Sequence, residues 1–200
     1  LTWLWLDGRR GAAQDTAYVA LGSSFAAGPG VGERDPDSPL LCLRSATDYP
    51  HLLARRRDLV LSDVTCSGAT VSHILRGGQF LQPAQIDAIG PKTRLVTITI
   101  GGNDVAFIAN LYAWSCQNRP EGLTPFWRLA VCREKPWDQV DAALATLPEA
   151  MDAMMKIIRR QAPQARIVLV DYVSVLPAAG RCPHRLPLSE VQLERGRTGV

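Results

Sequence analysis

The segment Tyr18-Val-Ala-Leu-Gly-Ser-Ser-Phe-Ala-Ala-Gly-Pro-Gly30 determines how the rest of this chain is interpreted. Its first four residues are apolar, include an aromatic and a β-branched side chain, and are bounded by glycine, which predicts a buried strand. The strand ends at Gly22 and continues into Ser23 and Ser24 in a turn of small residues. In parallel α/β sheets such turns present side chains that stand clear of the core. A serine there is a candidate nucleophile, although Gly-Ser-Ser is also common in ordinary turns.

Three further strands are predicted, at Leu59 to Val64, Arg94 to Ile100 and Arg166 to Asp171. The third is the clearest, because β-branched residues occupy most of its positions. The segments between and after the strands predict helices at Ser45 to Arg57, Val71 to Leu75, Pro83 to Ile89, Val105 to Tyr112, from Pro136 onwards, and near Ser189. Alternation of strands and helices predicts an α/β protein with three layers, α/β/α, around a doubly wound parallel sheet.

Two of these helices carry more detailed predictions. In the helix at Ser45 to Arg57, Ser45 or Thr47 is the expected N-cap, and Leu52 and Leu53 are expected to face inward. In the helix that Pro136 opens, Pro148 is expected to kink or split the helix. That helix carries one apolar face at helical spacing, formed by Val140, Leu144, Leu147, Met151, Met154 and Ile158.

Three of the four strands run into turns of small or polar residues. These turns are Gly22-Ser-Ser24, Ser67-Gly-Ala69 and Gly101-Gly-Asn-Asp104. In a parallel sheet the carboxyl ends of the strands lie along one edge. The three turns are therefore expected to converge although they are far apart along the chain.

Length and composition describe a globular domain. The chain has 200 residues, 46% apolar and 20% charged, with a net charge of +3. The only basic run, Arg55-Arg56-Arg57, is typical of the solvated end of a helix, and no basic stripe interleaved with aromatic residues indicates nucleic-acid binding. No apolar run approaches the roughly 20 residues of a membrane helix. Residues 1–17 are expected to be an N-terminal extension, whose start Leu1-Thr-Trp-Leu-Trp-Leu6 is either a remnant of a signal sequence or a strand.

The chain has five cysteines, and none shows the close paired spacing of a zinc site. Pairing of nearest neighbours, Cys42 with Cys66 and Cys116 with Cys132, is the simplest connectivity, although spacing alone does not establish it. Disulfides of this kind indicate a secreted or extracytoplasmic protein. The alternative is five reduced thiols in a cytosolic protein. Cys182 has no partner under the simplest pairing.

The order and context of the three turns resemble the first three signature blocks of the SGNH (GDSL-type) serine hydrolases. The sequence around Ser24, together with the spaced cysteines, is most similar to the secreted actinobacterial lipase and esterase branch. The resemblance covers Tyr18 to about Leu193 and implies a flavodoxin-like SGNH fold. It also implies hydrolysis of carboxylic esters by a serine nucleophile, with no metal or organic cofactor.

Carried over residue by residue, the resemblance makes Ser24 the nucleophile. The oxyanion hole would comprise the amide N–H of Ser24, the N–H of Gly68 and the side-chain amide of Asn103. A glycine leaves its N–H open to the developing charge, and an asparagine supplies a neutral donor. Taken singly, Gly68 could instead be a turn glycine, and Asn103 or Asp104 a helix N-cap.

The sequence departs from the family pattern at two points. Ser23 stands where the family usually has an aspartate that is not itself a member of the catalytic triad. The family also places its catalytic base in a C-terminal Asp-x-x-His block, and none of the three histidines lies in one after the last strand. Asp48-Tyr-Pro-His51 has the formal pattern but lies at the start of the first long helix, and His73 is expected on a helix surface. His184 is the remaining substitute.

An incomplete C-terminus would explain three observations together: no identifiable base, no partner for Cys182 and no fifth strand. Residues 18–200 are therefore expected to be an SGNH hydrolase domain that lacks its C-terminal part. The substrate would be a small-molecule or lipid ester, and the aromatic segment from Ala113 to Trp137 either lines an apolar groove or packs over the sheet. The alternatives are a catalytically crippled fragment, a non-catalytic protein that binds esters or glycans, and a flavodoxin-like domain that binds phosphate at its glycine-rich turns.

Overall fold

The computed structural model describes residues 16–119, 132–181 and 186–198, which divide into two compact units. The first unit holds the described residues up to Gly101 together with Leu147–Tyr172. The second holds those of Gly102–Thr146 and those from Val173 onwards. The candidate nucleophile Ser24 and the four strands of the sheet all belong to the first unit.

The sheet of the first unit has four parallel strands in the order β2-β1-β3-β4. These strands are β1 (Tyr18–Gly22), β2 (Leu61–Asp63), β3 (Leu95–Thr99) and β4 (Arg166–Leu169). Tyr18 stands opposite Leu61 on one side and opposite Leu95 on the other. All four predicted strands are therefore present, and the predicted parallel α/β class is confirmed. β2, β3 and β4 are shorter than predicted.

Six helices and three single 3₁₀ turns accompany the sheet within the described residues. The helices are α1 (Ser24–Ala27), α2 (Tyr49–Arg57), α3 (Val71–Arg76), α4 (Phe107–Asn118), α5 (Trp137–Gln161) and α6 (Glu190–Thr198). The 3₁₀ turns are Leu40–Cys42, Gln79–Leu81 and Gln85–Ala88. None of these helices combines the length and the apolar character needed to cross a membrane.

The sheet buries apolar side chains on both of its faces. Successive side chains of a strand point to opposite faces, so Tyr18 and Ala20 face one way and Val19 and Leu21 the other. The first pair packs with Ala54 of α2, and the second belongs to a core that includes residues of α3 and α5. Helices on both faces produce the predicted three layers, with β1 at the centre and its carboxyl end leading into α1.

The start of α2 differs from the prediction. The helix begins at Tyr49, and its N-cap is Asp48 rather than Ser45 or Thr47. The Asp48 carboxylate accepts a hydrogen bond of 2.9 Å from the His51 N–H, and Pro50 fits the first turn because its missing N–H is not needed there. Leu53 packs into the core as predicted, but the prediction for Leu52 is wrong, since that side chain is 49% exposed.

Two other helix predictions also need correction. The segment from Pro83 to Ile89 forms only the 3₁₀ turn Gln85–Ala88, because Gln85 directs its side chain into the sheet instead of along a helix surface. Of the two effects expected of Pro148, the split is absent, since α5 continues through it as one helix, while the kink stays a prediction. A proline removes one intrahelical hydrogen bond, and the complete burial of Met154 and Ile158 beyond it helps to keep the helix intact. The predicted apolar face of α5 is confirmed, since its members are buried or half-buried.

The second unit has a small apolar core of its own. Leu111, Trp114, Leu188 and Leu193 are buried there. The ring of Trp114 stacks on that of Trp137, with 5.5 Å between centroids. Because Trp114 is buried in this core, it does not line an open apolar groove. Phe126 and Trp127, the other aromatic residues of that segment, lie outside the described residues.

Both disulfides expected from nearest-neighbour pairing are present, Cys42–Cys66 and Cys116–Cys132. The first closes a loop with a sequence separation of 24 and the second a loop of 16. In the chain-entropy description each such bridge contributes about 3 kcal/mol to stability. Cys182, the fifth cysteine, lies outside the described residues.

Candidate active site

The carboxyl end of β1 is held in place by Gly22. Its φ is +141°, and a Cβ at this position would stand 2.5 Å from the Thr99 carbonyl oxygen of β3. Gln85 binds both polar groups of the Gly22 backbone: its Oε1 accepts from the Gly22 N–H at 2.8 Å, and its Nε2 donates to the carbonyl at 3.1 Å. This clamp fixes the point at which the chain leaves the sheet and enters the serine turn.

Replacement of Gln85 by leucine is expected to lower the free energy of unfolding by about 1–3 kcal/mol, because the buried Gly22 N–H then has no acceptor. Chemical denaturation measures this loss. The matched control is Gln82→Leu three residues earlier, where the side chain's one hydrogen bond among the described residues is a local one of 3.3 Å to the Phe80 carbonyl. Equal stability of the two variants would contradict the clamp.

The two serines after Gly22 have different surroundings. Ser23 is buried, its N–H donates to the Thr99 carbonyl at 3.0 Å, and its Oγ lies 3.4 Å from the Tyr172 hydroxyl. Ser24 is half-buried and is the first residue of α1. No described residue accepts a hydrogen bond from the Ser24 N–H or pairs with its hydroxyl. Of the two, Ser24 is the one whose hydroxyl and amide remain available for chemistry.

Gly68 lies in a turn that is anchored to the same end of the sheet. The Cys66 N–H donates to the Gly22 carbonyl at 3.0 Å, and the Ala69 N–H closes the turn onto the Cys66 carbonyl. Gly68 itself is exposed, has a φ of +85°, and donates no amide hydrogen bond to any described residue. The structure thus brings the Ser24 turn and the Gly68 turn to the same end of β1, as the convergence argument predicts.

Asn103 belongs to the second unit, in the turn that follows β3. It is half-buried, and its carbonyl accepts from the Ala106 N–H at 3.2 Å. Helix α4 begins only at Phe107, with Ala106 as its N-cap residue. The alternative interpretation of Asn103 or Asp104 as the N-cap of this helix is therefore wrong, and its role in an oxyanion hole remains a prediction.

The two histidines within the described residues are both engaged in local contacts. His51 Nδ1 lies 2.6 Å from Asp48 Oδ1 and 3.6 Å from Asp63 Oδ2. His73 Nδ1 accepts from the Thr70 N–H at 3.1 Å in a capping box at the start of α3. His184 lies outside the described residues, so its role as a substitute base stays a prediction.

Asp63, at the end of β2, has an unusual acid–base character. Burial raises the pKa of its carboxyl to about 7, the Arg44 guanidinium opposes that rise, and the Asp48 carboxylate adds to it. Arg44 donates to the carbonyls of Asp63 and Thr65 at 2.5 and 2.8 Å rather than to the carboxylate. Asp63 and Arg44 line a cavity whose wall does not include Ser24.

The sequence analysis missed the residues that hold the serine turn, namely Gln85, Thr99 and Tyr172. Gln85 acts across 63 positions of the chain, and Tyr172 packs edge-on against Phe25 with 4.7 Å between ring centroids. The one signal for Gln85 was a glutamine beside the apolar residues Ile86, Ala88 and Ile89. Nothing in the sequence pointed to Tyr172.

Comparison with known proteins gives consistent matches. Residues 20–195 match the model of the GDSL-like Lipase/Acylhydrolase family. Lipase 2 of Streptomyces coelicolor is 36% identical over 176 residues, which cover 86% of this chain and 58% of that protein. The chain thus spans less than two thirds of the length of this relative.

Two solved structures are similar in fold and sequence. An extracellular lipase from Streptomyces rimosus aligns with a TM-score of 0.70 at 30% identity, and phospholipase A1 from Streptomyces albidoflavus NA297 with a TM-score of 0.66 at 27% identity. Each alignment covers 92% of this chain and 70% of the other. Since the family match extends over most of the chain and carries the serine and glycine turns with it, the chain belongs to the GDSL-like lipase/acylhydrolase family.

Proposed function

We propose that this chain carries the nucleophile and oxyanion hole of a secreted serine hydrolase that acts on lipid esters. The observation that supports this most directly is that Ser24 and the Gly68 turn lie at the same end of β1. One turn offers a hydroxyl with no partner among the described residues, and the other an exposed glycine whose N–H has no acceptor among them. The two disulfides and the extracellular lipase among the similar structures support secretion.

The reaction is acyl transfer to water. The Ser24 hydroxyl attacks the ester carbonyl, and its proton passes to a general base, which then protonates the departing alcohol. The acyl group stays bonded to Ser24 Oγ until water, deprotonated by the same base, attacks and releases the carboxylic acid. A negatively charged oxygen forms in both half-reactions, so the same amide donors act twice.

The oxyanion is proposed to accept from the Ser24 N–H, the Gly68 N–H and the Asn103 side chain. Such donors are effective because they are already oriented before the charge develops. The φ of +85° at Gly68 supports its assignment, since an L side chain rarely adopts this conformation and glycine does so without cost.

A fluorophosphonate probe tests the proposal, because it phosphonylates only serines that a base and an oxyanion hole activate. We expect one adduct, mapped by mass spectrometry to Ser24, and no adduct in Ser24→Ala. The labelling is run on the 200-residue chain and on the complete translated reading frame. An adduct on Ser23, or full labelling of the alanine variant, would refute the assignment, and no labelling of either form would favour a non-catalytic binding protein.

The same probe locates the base among the histidines of this sequence. We expect His51→Gln and His73→Gln to label at the wild-type rate, because both side chains have structural partners. Loss of labelling in His184→Gln alone assigns the base to His184. Wild-type labelling in all three variants excludes every histidine of the 200 residues.

The lipid preference is supported by an apolar rim of exposed side chains, Leu40, Leu41, Leu43, Phe80 and Leu81. Cys42 and Gln79, the chain neighbours of these residues, contact the Gly68 turn. The Ser67 N–H donates to the Cys42 carbonyl at 3.1 Å, and Gln79 Nε2 donates to the Ser67 carbonyl at 2.8 Å. The apolar rim therefore borders the proposed oxyanion hole on the side of the Cys42–Cys66 disulfide.

The backbone of the apolar rim is strained. Leu43, Phe80 and Leu81 have φ values of +55°, +49° and +62°, a region that costs bulky residues on the order of 1–3 kcal/mol each. These residues nevertheless keep large apolar side chains in solvent, and Leu81 is 96% exposed. Contact with acyl chains would remove this apolar surface from water.

The double variant Phe80→Ser/Leu81→Ser is expected to lower hydrolysis of an emulsified long-chain triacylglycerol about tenfold or more, since loss of about 1.4 kcal/mol of interfacial contact has that effect. Hydrolysis of a water-soluble acetate ester should change less than about twofold. Val60→Ser is the matched control, because Val60 is 73% exposed outside the apolar rim. Equal loss on both substrates would contradict an interfacial role.

A further inference from the structure

Three side chains that the proposed ester hydrolysis does not use meet between α2 and β2. Asp48 is the N-cap of α2, His51 lies in the first turn of that helix, and Asp63 ends β2. One ligand atom from each side chain lies within 4.8 Å of those from the other two. The His51 side chain is 24% exposed, and the side chains of Asp48 and Asp63 are 1% and 4% exposed.

Each carboxylate uses one oxygen for the fold and leaves the other bare. Asp48 Oδ1 accepts from the His51 N–H and lies against its Nδ1, and Asp63 Oδ1 accepts from the Thr65 N–H at 2.9 Å. Asp48 Oδ2 and Asp63 Oδ2 are buried and accept no hydrogen bond from the described residues. A buried carboxylate oxygen without a hydrogen-bond donor is costly. The nearest positive groups, His51 Nδ1 at 3.6 Å from Asp63 Oδ2 and the Arg44 guanidinium, donate no hydrogen bond to these two oxygens, so both oxygens remain open to a cation.

We propose that Asp48, His51 and Asp63 bind one divalent transition-metal ion, for which Zn²⁺ is the expected occupant. Zn²⁺ takes imidazole nitrogen and carboxylate oxygen at about 2.0–2.2 Å, which separates tetrahedral ligands by roughly 3.4 Å. The 3.6 Å between His51 Nδ1 and Asp63 Oδ2 is close to that value. Ca²⁺ suits the cluster less well because it takes six to eight oxygen ligands.

An ion can reach the cluster from solvent. His51 and Asp63 line an open cavity of about 690 Å³, and Asp35, Asp37 and Asp58 stand on the same wall. These carboxylates attract a cation, and water from the cavity can complete its coordination. Zn²⁺ binds the unprotonated form of an imidazole nitrogen, so binding should weaken as the pH falls. Arg44 and Arg55 also line the cavity, but their hydrogen bonds go to backbone carbonyls and not to Asp48 Oδ2 or Asp63 Oδ2.

The bound ion would be structural. It would join the first turn of α2 to the end of β2 and would take no part in the attack of Ser24. The two positive charges of the ion would balance the two buried carboxylates, whose negative charge is otherwise disfavoured by burial. Removal of the ion should therefore lower the thermal midpoint without changing which serine is phosphonylated.

Thermal unfolding and calorimetric titration of the chelator-treated chain test the site. With Zn²⁺ at 100 times its dissociation constant, the midpoint should rise by roughly 5–10 °C, and the titration should give one site per chain. Mg²⁺ and Ca²⁺ should produce a smaller shift. Co²⁺ in place of Zn²⁺ should show visible absorption bands that His51→Gln alters.

Asp63→Asn should weaken binding by more than the roughly 10–100-fold that loss of an outer-shell partner costs. The matched control is Asp58→Asn, on the same cavity wall but outside the cluster and at a φ of +52° that asparagine accepts well. If Asp63→Asn proves unfolded, His51→Gln replaces it in the titration. Absence of saturable binding to the parent chain, or equal affinity in Asp63→Asn and Asp58→Asn, would overturn the proposal.

Discussion

Replacement of Ser24 by alanine is expected to lower kcat for a water-soluble ester by about 10⁴-fold or more, down to the residual rate that binding and the oxyanion hole sustain. The variant keeps every described backbone hydrogen bond of the serine turn, because the Ser24 hydroxyl has no partner among the described residues. Its thermal midpoint should therefore match that of the parent. The loss should fall on kcat with little change in KM.

Ser23→Ala is the control that makes this result specific. It removes a neighbouring hydroxyl whose contacts, 3.5 Å to the Thr99 carbonyl and 3.4 Å to the Tyr172 hydroxyl, are long and weak. We expect it to retain activity within a few-fold of the parent. Steady-state kinetics on the complete reading frame compare the two variants. If Ser23→Ala loses as much of kcat as Ser24→Ala, the nucleophile is misassigned or the turn has collapsed.

Replacement of Asn103 by alanine is expected to lower kcat by about 10²–10³-fold, the usual cost of one oxyanion donor. KM should change little, because the donor binds the charged oxygen of the transition state more strongly than the neutral ester carbonyl. Asn103→Asp should lose at least as much, since a carboxylate of the same shape repels the developing charge. The contrast between the kcat effect and the KM effect separates an oxyanion donor from a residue that merely supports the turn.

Asn118→Ala is the matched asparagine control, at the other end of α4. Its side-chain amide donates to the Pro187 carbonyl and to Gln192, on the surface of the second unit. We expect a loss of stability of about 1 kcal/mol from these hydrogen bonds and a kcat close to that of the parent. If Asn103→Ala behaves in the same way, Asn103 supports structure and the oxyanion hole must be completed by another group.

The strands could be predicted because β-branched residues mark them directly, as in Leu95–Thr99. The convergence of the Ser24 and Gly68 turns also followed from the sequence, because a parallel sheet places the ends of its strands at one edge. Helix ends were harder. Ser45, Thr47 and Asp48 are all good N-caps, and only the position of Pro50 in the first turn favours Asp48.

The contacts that hold the site could not be predicted in the same way. Gln85 reaches the backbone of Gly22 from a segment that has an apolar pattern typical of a helix. The local sequence shows neither this long-range contact of the Gln85 side chain nor the 3₁₀ turn that permits it. The contact of His51 with Asp63 likewise joins a helix to a strand, whereas the local sequence pattern pairs His51 only with Asp48, three residues before it. Long-range polar contacts of this kind become visible only once the topology is known.

The Cys42–Cys66 bridge has a consequence for heterologous production. It ties the Leu40–Cys42 turn to the turn that contains Gly68. Until this disulfide has formed, only hydrogen bonds hold the Gly68 turn in place. In the reducing cytosol of a bacterial host that tie would be absent. Export to the periplasm, or refolding with a glutathione couple, should therefore raise the fraction of molecules that a phosphonylating reagent titrates.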